Sequence, residues 1–211
     1  RLSKLGRDYF ATVMFDETAS QRIGALERRR QGDNSFPSIP AELVFSGPHI
    51  YLSNPFSKSP RRVCTSNKHY DCLYLDQLPE DYLPRTNYRP IIKTSVYINE
   101  VPLVQWASEM EATPITEYYR LVVRRMIPPS GERTLSPALM PIGSTHIDGV
   151  FSVTFRRARD LICTLGAWTS IVADFIIKTT GRTNFLHDSA DALFTIVSDA
   201  APVGLLARVL T

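Results

Sequence analysis

Cysteine is scarce: the 211 residues hold three, Cys64, Cys72 and Cys163. Three thiols do not make a disulfide framework, so a reducing, cytoplasmic setting is expected. No stretch of roughly 18 apolar residues occurs, so no membrane span is expected, and no signal-peptide pattern is visible. A strong charge of one sign is also missing: 24 Lys and Arg face 21 Asp and Glu, for a net charge of +3. That balance alone does not argue for nucleic acid. The four histidines, His49, His69, His146 and His187, are scattered, and no Gly-x-Ser-x-Gly elbow accompanies them. A stand-alone hydrolase is therefore the weakest function class, because nothing assembles a nucleophile with its base. Internal repeats and low-complexity segments do not occur. The chain begins at Arg1 and not at Met, and the expectation is a piece excised from a longer protein.

What is present is ordinary globular composition, 44% hydrophobic and 21% charged, long enough for a single domain over residues 1–211 with a real core. The most strongly patterned stretch is 118–140. Tyr119, Leu121, Val123 and Ile127 fall on one face, and Tyr118, Arg120, Val122 and Arg124 on the other. This period-two alternation predicts a strand with a buried face and an arginine-bearing face. Pro128, Pro129, Ser130 and Gly131 then predict a tight turn, with the strand pattern resuming over 133–140. Further strands are expected at 8–15, 42–45, 49–52, 61–64, 72–75, 91–98 and 148–155. Asp16 is placed to cap a short helix that ends at Gly24. Leu161, Leu165, Trp168, Val172 and Phe175 lie on one face of a helix of about five turns. A shorter helix is expected over 189–197, followed by an apolar tail at 200–210, making 158–211 a helical C-terminal part. Many short strands plus a long helix predict an α+β fold, with a mixed, mostly antiparallel sheet and a long C-terminal amphipathic helix.

Charge is unevenly distributed. Residues 98–119 carry Glu100, Glu109, Glu111 and Glu117 with no Lys or Arg, whereas 56–93 is rich in bases. The acidic segment is expected to cover a sheet edge or to face solvent, and a sign-segregated surface favours an anionic partner on one side. Within the basic region, Ser59-Pro60-Arg61-Arg62 and Pro84-Arg85-Thr86-Asn87-Tyr88-Arg89 are proline-stiffened loops. Arg can clamp guanine or phosphate with paired hydrogen bonds, and Asn can do so for adenine. The competing reading is a solvated loop whose arginines bridge to carboxylates. Arg28-Arg29-Arg30 with the polar residues through Asn34 reads first as a solvated turn, with a specific anion site as the alternative. Cys64, His69 and Cys72, with His146 as the arguable fourth ligand, leave a zinc site open beside the plainer reading of structural cysteines.

Three further stretches carry a family resemblance: Tyr119-Arg120-Leu121-Val122-Val123-Arg124, Glu132-Arg133-Thr134-Leu135, and Met140-Pro141. Together with residues 46–51 and 174–181, they resemble the C-terminal part of bacterial adenine-specific DNA methyltransferases of restriction-modification and phage-defence systems, akin to type IIG enzymes. The resemblance spans roughly residues 13–194. It implies a target recognition domain, with double-stranded DNA and a methyltransferase catalytic domain as partners. S-adenosylmethionine is then expected on that other domain and no cofactor on this chain. Asn54-Pro55-Phe56 only partly matches the Asn-Pro-Pro-Tyr signature of amino-group methyltransferases, because the second proline is missing and no glycine-rich cofactor turn precedes it. No catalytic residue is therefore expected here.

The resemblance assigns no base contacts. From residue chemistry the DNA-binding candidates are Arg61, Arg62, Lys68, Arg85, Asn87, Arg89, Arg120 and Arg124. Arg133 is a further pick, with a pairing to Glu132 or Glu117 as its structural alternative. The competing function is a protein-interaction module that docks on another domain or subunit through the acidic segment and the apolar helix at 161–177.

Overall fold

The alternation around residue 121 builds the centre of the molecule. Arg120–Arg124 is an inner strand of a four-stranded antiparallel sheet, ordered Ala138–Met140, Arg120–Arg124, Val150–Phe155 and Tyr9–Thr12. This computed structural model describes residues 2–5, 8–29, 35–51, 54–107 and 109–196. The expected apolar tail, and residues 30–34 of the basic run, lie outside the described residues.

Leu121 and Val123 face one side with Phe151, Val153 and Phe155, and the helices Ala158–Trp168 and Ile171–Thr179 close over them through Leu161, Leu165, Trp168 and Ile177. On the other side Val122, Val150 and Met140 pack against Leu43, Phe45 and Ile50. A third cluster gathers Phe15, Leu26, Val44, Tyr97, Trp106 and Ile115. Val44–Phe45 runs parallel to Thr145–His146, and the other ladders are antiparallel. Near the two ends of the described chain, Leu2–Lys4 pairs with Phe194–Ile196, with Leu2 opposite Ile196. The architecture is α+β, with small, mostly antiparallel sheets.

The parity of the central strand is as the sequence predicts, but its exposure is not. A layer covers each face of the sheet, so both parities are buried over 121–123 and Arg120 is internal, while Arg124 at the end of the strand is half-buried. Arg120 is 0% exposed. It donates to the carbonyl oxygens of Pro141 at 3.0 Å and Ser144 at 2.5 Å, and to Ser144 Oγ and Met14 Sδ. Tyr119, expected inside, is instead exposed. The expected turn forms, with Gly131 N–H donating to the Pro128 carbonyl at 3.4 Å, but the strand pattern does not resume at 133: the returning strand begins only at Ala138, so the turn sits within a longer loop over 125–137. Asp174 on the Ile171–Thr179 helix holds that loop, accepting from the backbone N–H groups of Thr134 at 2.8 Å and Leu135 at 2.6 Å. Arg133 joins the same knot, 3.5 Å from Asp174 and bonded to the carbonyls of Leu135 and Thr169. It pairs with neither Glu132 nor Glu117.

The expected long helix is two helices that meet at 70°. The hydroxyls of Thr169 and Ser170 bond back to the carbonyls of Gly166 and Ala167, and Ser170 Oγ then accepts from Ala173 N–H as the cap of the second helix. Such short polar side chains compete with the backbone ladder. The bend rotates Val172 and Phe175 out to 57% and 63% exposure, while Ala173, Asp174 and Ile177 turn inward.

Other expectations change for local reasons. Residues 91–98 contain a helix, Ser95–Glu100, because Thr94 accepts from Tyr97 N–H as its cap and Tyr97 is buried. In place of a strand from His49, the chain forms the 3-10 turn Gly47–His49, with Leu52 outside the described residues, and 61–64 is a loop leaving the strand Lys58–Pro60. The last helix is His187–Ala192, since Leu193 turns extended and Phe194 enters a strand; the C-terminal part is therefore not helical throughout. The acidic segment is not a plain solvent insertion: Leu103–Val104 pairs with Thr113–Pro114, and Val101, Val104, Trp106 and Ile115 enter the core. Asp16 does cap Glu17–Arg22, accepting from Thr18 and Ala19, and Gly24 follows at φ +79°.

Asp174→Ala leaves two buried N–H groups without their acceptor and Arg133 without its counter-ion, and should lower unfolding free energy by about 2–4 kcal/mol in urea titrations. Asp174→Asn keeps one acceptor oxygen and should cost less.

Candidate functional site

The chain returns repeatedly to one cleft of about 470 Å³. Its walls come from the Ser46–Pro48 turn, the 64–67 loop, Tyr70, Asn87 and Tyr88, the end of the central strand at Arg124–Met126, and the Ile147–Gly149 turn. Glu17, Arg28 and Asn184 complete it. Two glycines make its floor possible. A Cβ on Gly149 would lie 3.0 Å from the nitrogen of Gly47, and one on Gly47 3.2 Å from the carbonyl oxygen of Gly149. Any larger residue would push the two turns apart.

The carboxylates of the cleft are occupied. Asp148 pairs with Arg125 at 3.2 Å. Glu17 accepts a short hydrogen bond from the Tyr88 hydroxyl, whose pKa is pushed up by burial and by that carboxylate. Arg28 and Arg124 have no carboxylate partner among the described residues. Arg28 stands 6.0 Å from the centre of the Tyr88 ring, and the Nε of Arg124 is buried without a hydrogen-bond partner. Three amide side chains, Asn67, Asn87 and Asn184, share the cleft with these two cations.

Buried hydrogen bonds hold the wall behind Asn87. His49 Nδ1 accepts from Ser46 N–H at 3.1 Å, so Nε2 carries the ring proton and donates to the Arg85 carbonyl at 3.1 Å. Burial pushes the His49 pKa down to about 4 and that of His146 to about 3. His146 is spent on structure, bonded to the Ile147 carbonyl and Ser152 Oγ.

Of the residues expected to contact DNA, Asn87 and Arg124 come together in the cleft. Arg62 and Lys68 are exposed on the 61–69 loop that forms one rim. Arg89 is paired with Glu27 across strands at 2.8 Å, and Arg61, just past the strand Lys58–Pro60, with Asp71 at 2.7 Å, the carboxylate bridging of the structural alternative. Arg85 lies 4.0 Å over the ring of Phe36. Arg120 is withdrawn as a contact residue by its complete burial. Sequence reasoning missed Arg125, Asn67, Asn184 and Tyr70, which nothing local marks. Arg28, ranked first as part of a solvated turn with an anion site as the alternative, lines the cleft.

Cys64, His69, Cys72 and His146 do not converge. No group of three His, Cys, Asp or Glu that could hold a metal occurs among the described residues, and the three cysteines are free. Asn54-Pro55-Phe56 is a turn: Asn54 O accepts from Ser57, and Phe56, at φ 63°, packs on Phe45. Among the described residues no single helix is long and apolar enough to cross a membrane. No protein-family model matches this chain, and no curated protein matches it.

The buried histidines fix a pH dependence. Each has a folded pKa below the ordinary value of 6.5, so as pH falls the unfolded chain takes up protons that the folded chain refuses. Stability should therefore fall from pH 6.5 to about 4 through His49, and on to about 3 through His146. At about 1.4 kcal/mol per pKa unit the His49 contribution is of order 3 kcal/mol. Urea midpoints measured from pH 7.5 to 4.5 check this, and His49→Gln should flatten the slope.

Proposed function

We propose that this chain is the target recognition module of an adenine-specific DNA methyltransferase of a restriction-modification or phage-defence system. It binds double-stranded DNA and leaves methyl transfer to a catalytic domain. One observation supports the reading: among the described residues Arg28 and Arg124 remain without carboxylate partners, in a cleft that also presents three amide side chains. Cations left unpaired by the protein are available to phosphates, while amides offer the donor–acceptor pairs that base edges require. Arg62 and Lys68 on the rim extend the basic track. The family resemblance of the central strand and of residues 132–141 supports the same assignment.

The cleft does not suit S-adenosylmethionine. A ribose would need a free carboxylate, and Glu17 and Asp148 are both engaged; the cationic sulfonium would also face Arg28 and Arg124. On this reading the cofactor is carried by the catalytic domain.

A second reading rests on the Ile171–Thr179 helix, where Ile171, Val172 and Phe175 form an exposed apolar face, Ile171 at 77%. A protein-interaction module would dock another domain or subunit there. Ile171→Asp with Phe175→Asp should then abolish capture of a catalytic domain supplied in trans while leaving DNA binding unchanged.

Fluorescence anisotropy with a mixed-sequence duplex tests DNA binding. Affinity should fall steeply with salt, and Arg28→Ala and Arg124→Ala should each reduce the salt slope by about 0.9. Arg61→Ala and Arg89→Ala should change it less, because their charges are already matched. A slope that does not respond to Arg28 and Arg124 sinks the assignment of the cleft.

A further inference from the structure

Asn87 differs from the other two amides of the cleft in how firmly it is held. Its Nδ2 donates to the Tyr70 hydroxyl at 2.9 Å. Asn67 has no side-chain hydrogen bond among the described residues, and Asn184 reaches only the neighbouring Thr183 hydroxyl at 3.5 Å. Tyr70 is itself fixed. It is buried, stands edge-on to the His49 ring at 5.6 Å, and lies 3.5 Å from Ser46 Oγ. The backbone around Asn87 is pinned on each side. His49 holds the Arg85 carbonyl, Thr86 Oγ1 donates to the Tyr88 carbonyl at 2.7 Å, and the Asn87 carbonyl accepts from Arg29 N–H at 2.9 Å.

We infer, on the DNA-binding reading above, that Asn87 specifies an adenine in the recognised sequence and that Tyr70 is its positioning residue. One N–H of the amide is engaged by Tyr70. The other N–H and Oδ1 have no partner among the described residues, and Asn87 lines the same cleft as Arg28 and Arg124. An acceptor beside a donor complements the N6–H and N7 of adenine in the major groove. Guanine offers two acceptors at the same edge, so Oδ1 would meet O6 without a hydrogen between them. An amide already held in position loses little freedom on binding, so the discrimination is not diluted by alternative rotamers. A good bidentate contact corresponds to a preference of about tenfold to hundredfold at one base pair.

Selection from a randomised duplex library by the whole chain, followed by sequencing, tests the inference. The wild-type chain should enrich a motif with an A·T pair at a fixed position. Asn87→Ala should erase the preference at that position by about tenfold or more and leave the other positions intact. Tyr70→Phe should weaken the same position alone, an outcome that a general loss of packing would not give. If Tyr70→Phe unfolds the chain in urea titrations, Asn87→Ala decides by itself, since its side chain is half-exposed. A motif unchanged in Asn87→Ala overturns the inference while leaving DNA binding standing. A wild-type chain that binds DNA yet enriches no motif overturns it as well. If the wild-type chain binds no duplex at low salt, the functional reading itself fails.

Discussion

A single buried guanidinium organises the middle of this protein. Arg120 lies wholly inside, with no carboxylate at hand, and its charge is met by carbonyl and hydroxyl oxygens. Burial lowers its pKa to about 9, which still leaves it protonated at neutral pH. A charge in that position tolerates little displacement of its acceptors, because an unmet interior cation is expensive. The acceptors are carbonyls of the 141–144 turn, immediately before Thr145–His146 pairs with Val44–Phe45. The Ile147–Gly149 turn follows, and Gly149 meets Gly47 at the floor of the cleft. The position of the cleft thus depends on an interaction several residues away that faces no solvent.

Charge neutralisation sorts the arginines of the surface. Glu27 lies opposite Arg89 in register, and Asp71 lies within reach of Arg61 just past its strand. Exposed pairs of this kind add little stability, typically under about 1 kcal/mol, but they cancel the field that a phosphate would feel. Arg28 and Arg124 have no such ion pair among the described residues: Asp148 is directed to Arg125, and Glu17, which keeps its charge, accepts from the Tyr88 hydroxyl. Segregation of charge along the sequence is therefore a poor guide to segregation in space.

Local rules were legible in the sequence where local forces decide. Asp16 caps its helix, Gly24 follows it, and the parity of residues 120–124 and 150–155 is as alternation predicts. Long-range layering was not legible, and it turned Arg120 of the central strand inward. The apolar period running through Leu161, Leu165, Trp168, Val172 and Phe175 concealed the break at Thr169 and Ser170, because two hydroxyls can redirect the chain without disturbing the pattern of apolar residues. At the cleft, Asn87 and Arg124 could be chosen by chemistry alone. Arg28, Asn184 and Tyr70 are far apart in sequence, and only the fold brings them to one place.

The ladder between Leu2–Lys4 and Phe194–Ile196 has a mechanical consequence. Because Leu2 lies opposite Ile196, tension applied through the flanking chain reaches both strands at the same end of the ladder. The hydrogen bonds are then loaded one after another, as in a zipper, and not all together in shear. Such a joint yields at low force and closes again readily. It acts as a fuse that releases the flanking chain before load reaches the sheet around Arg120.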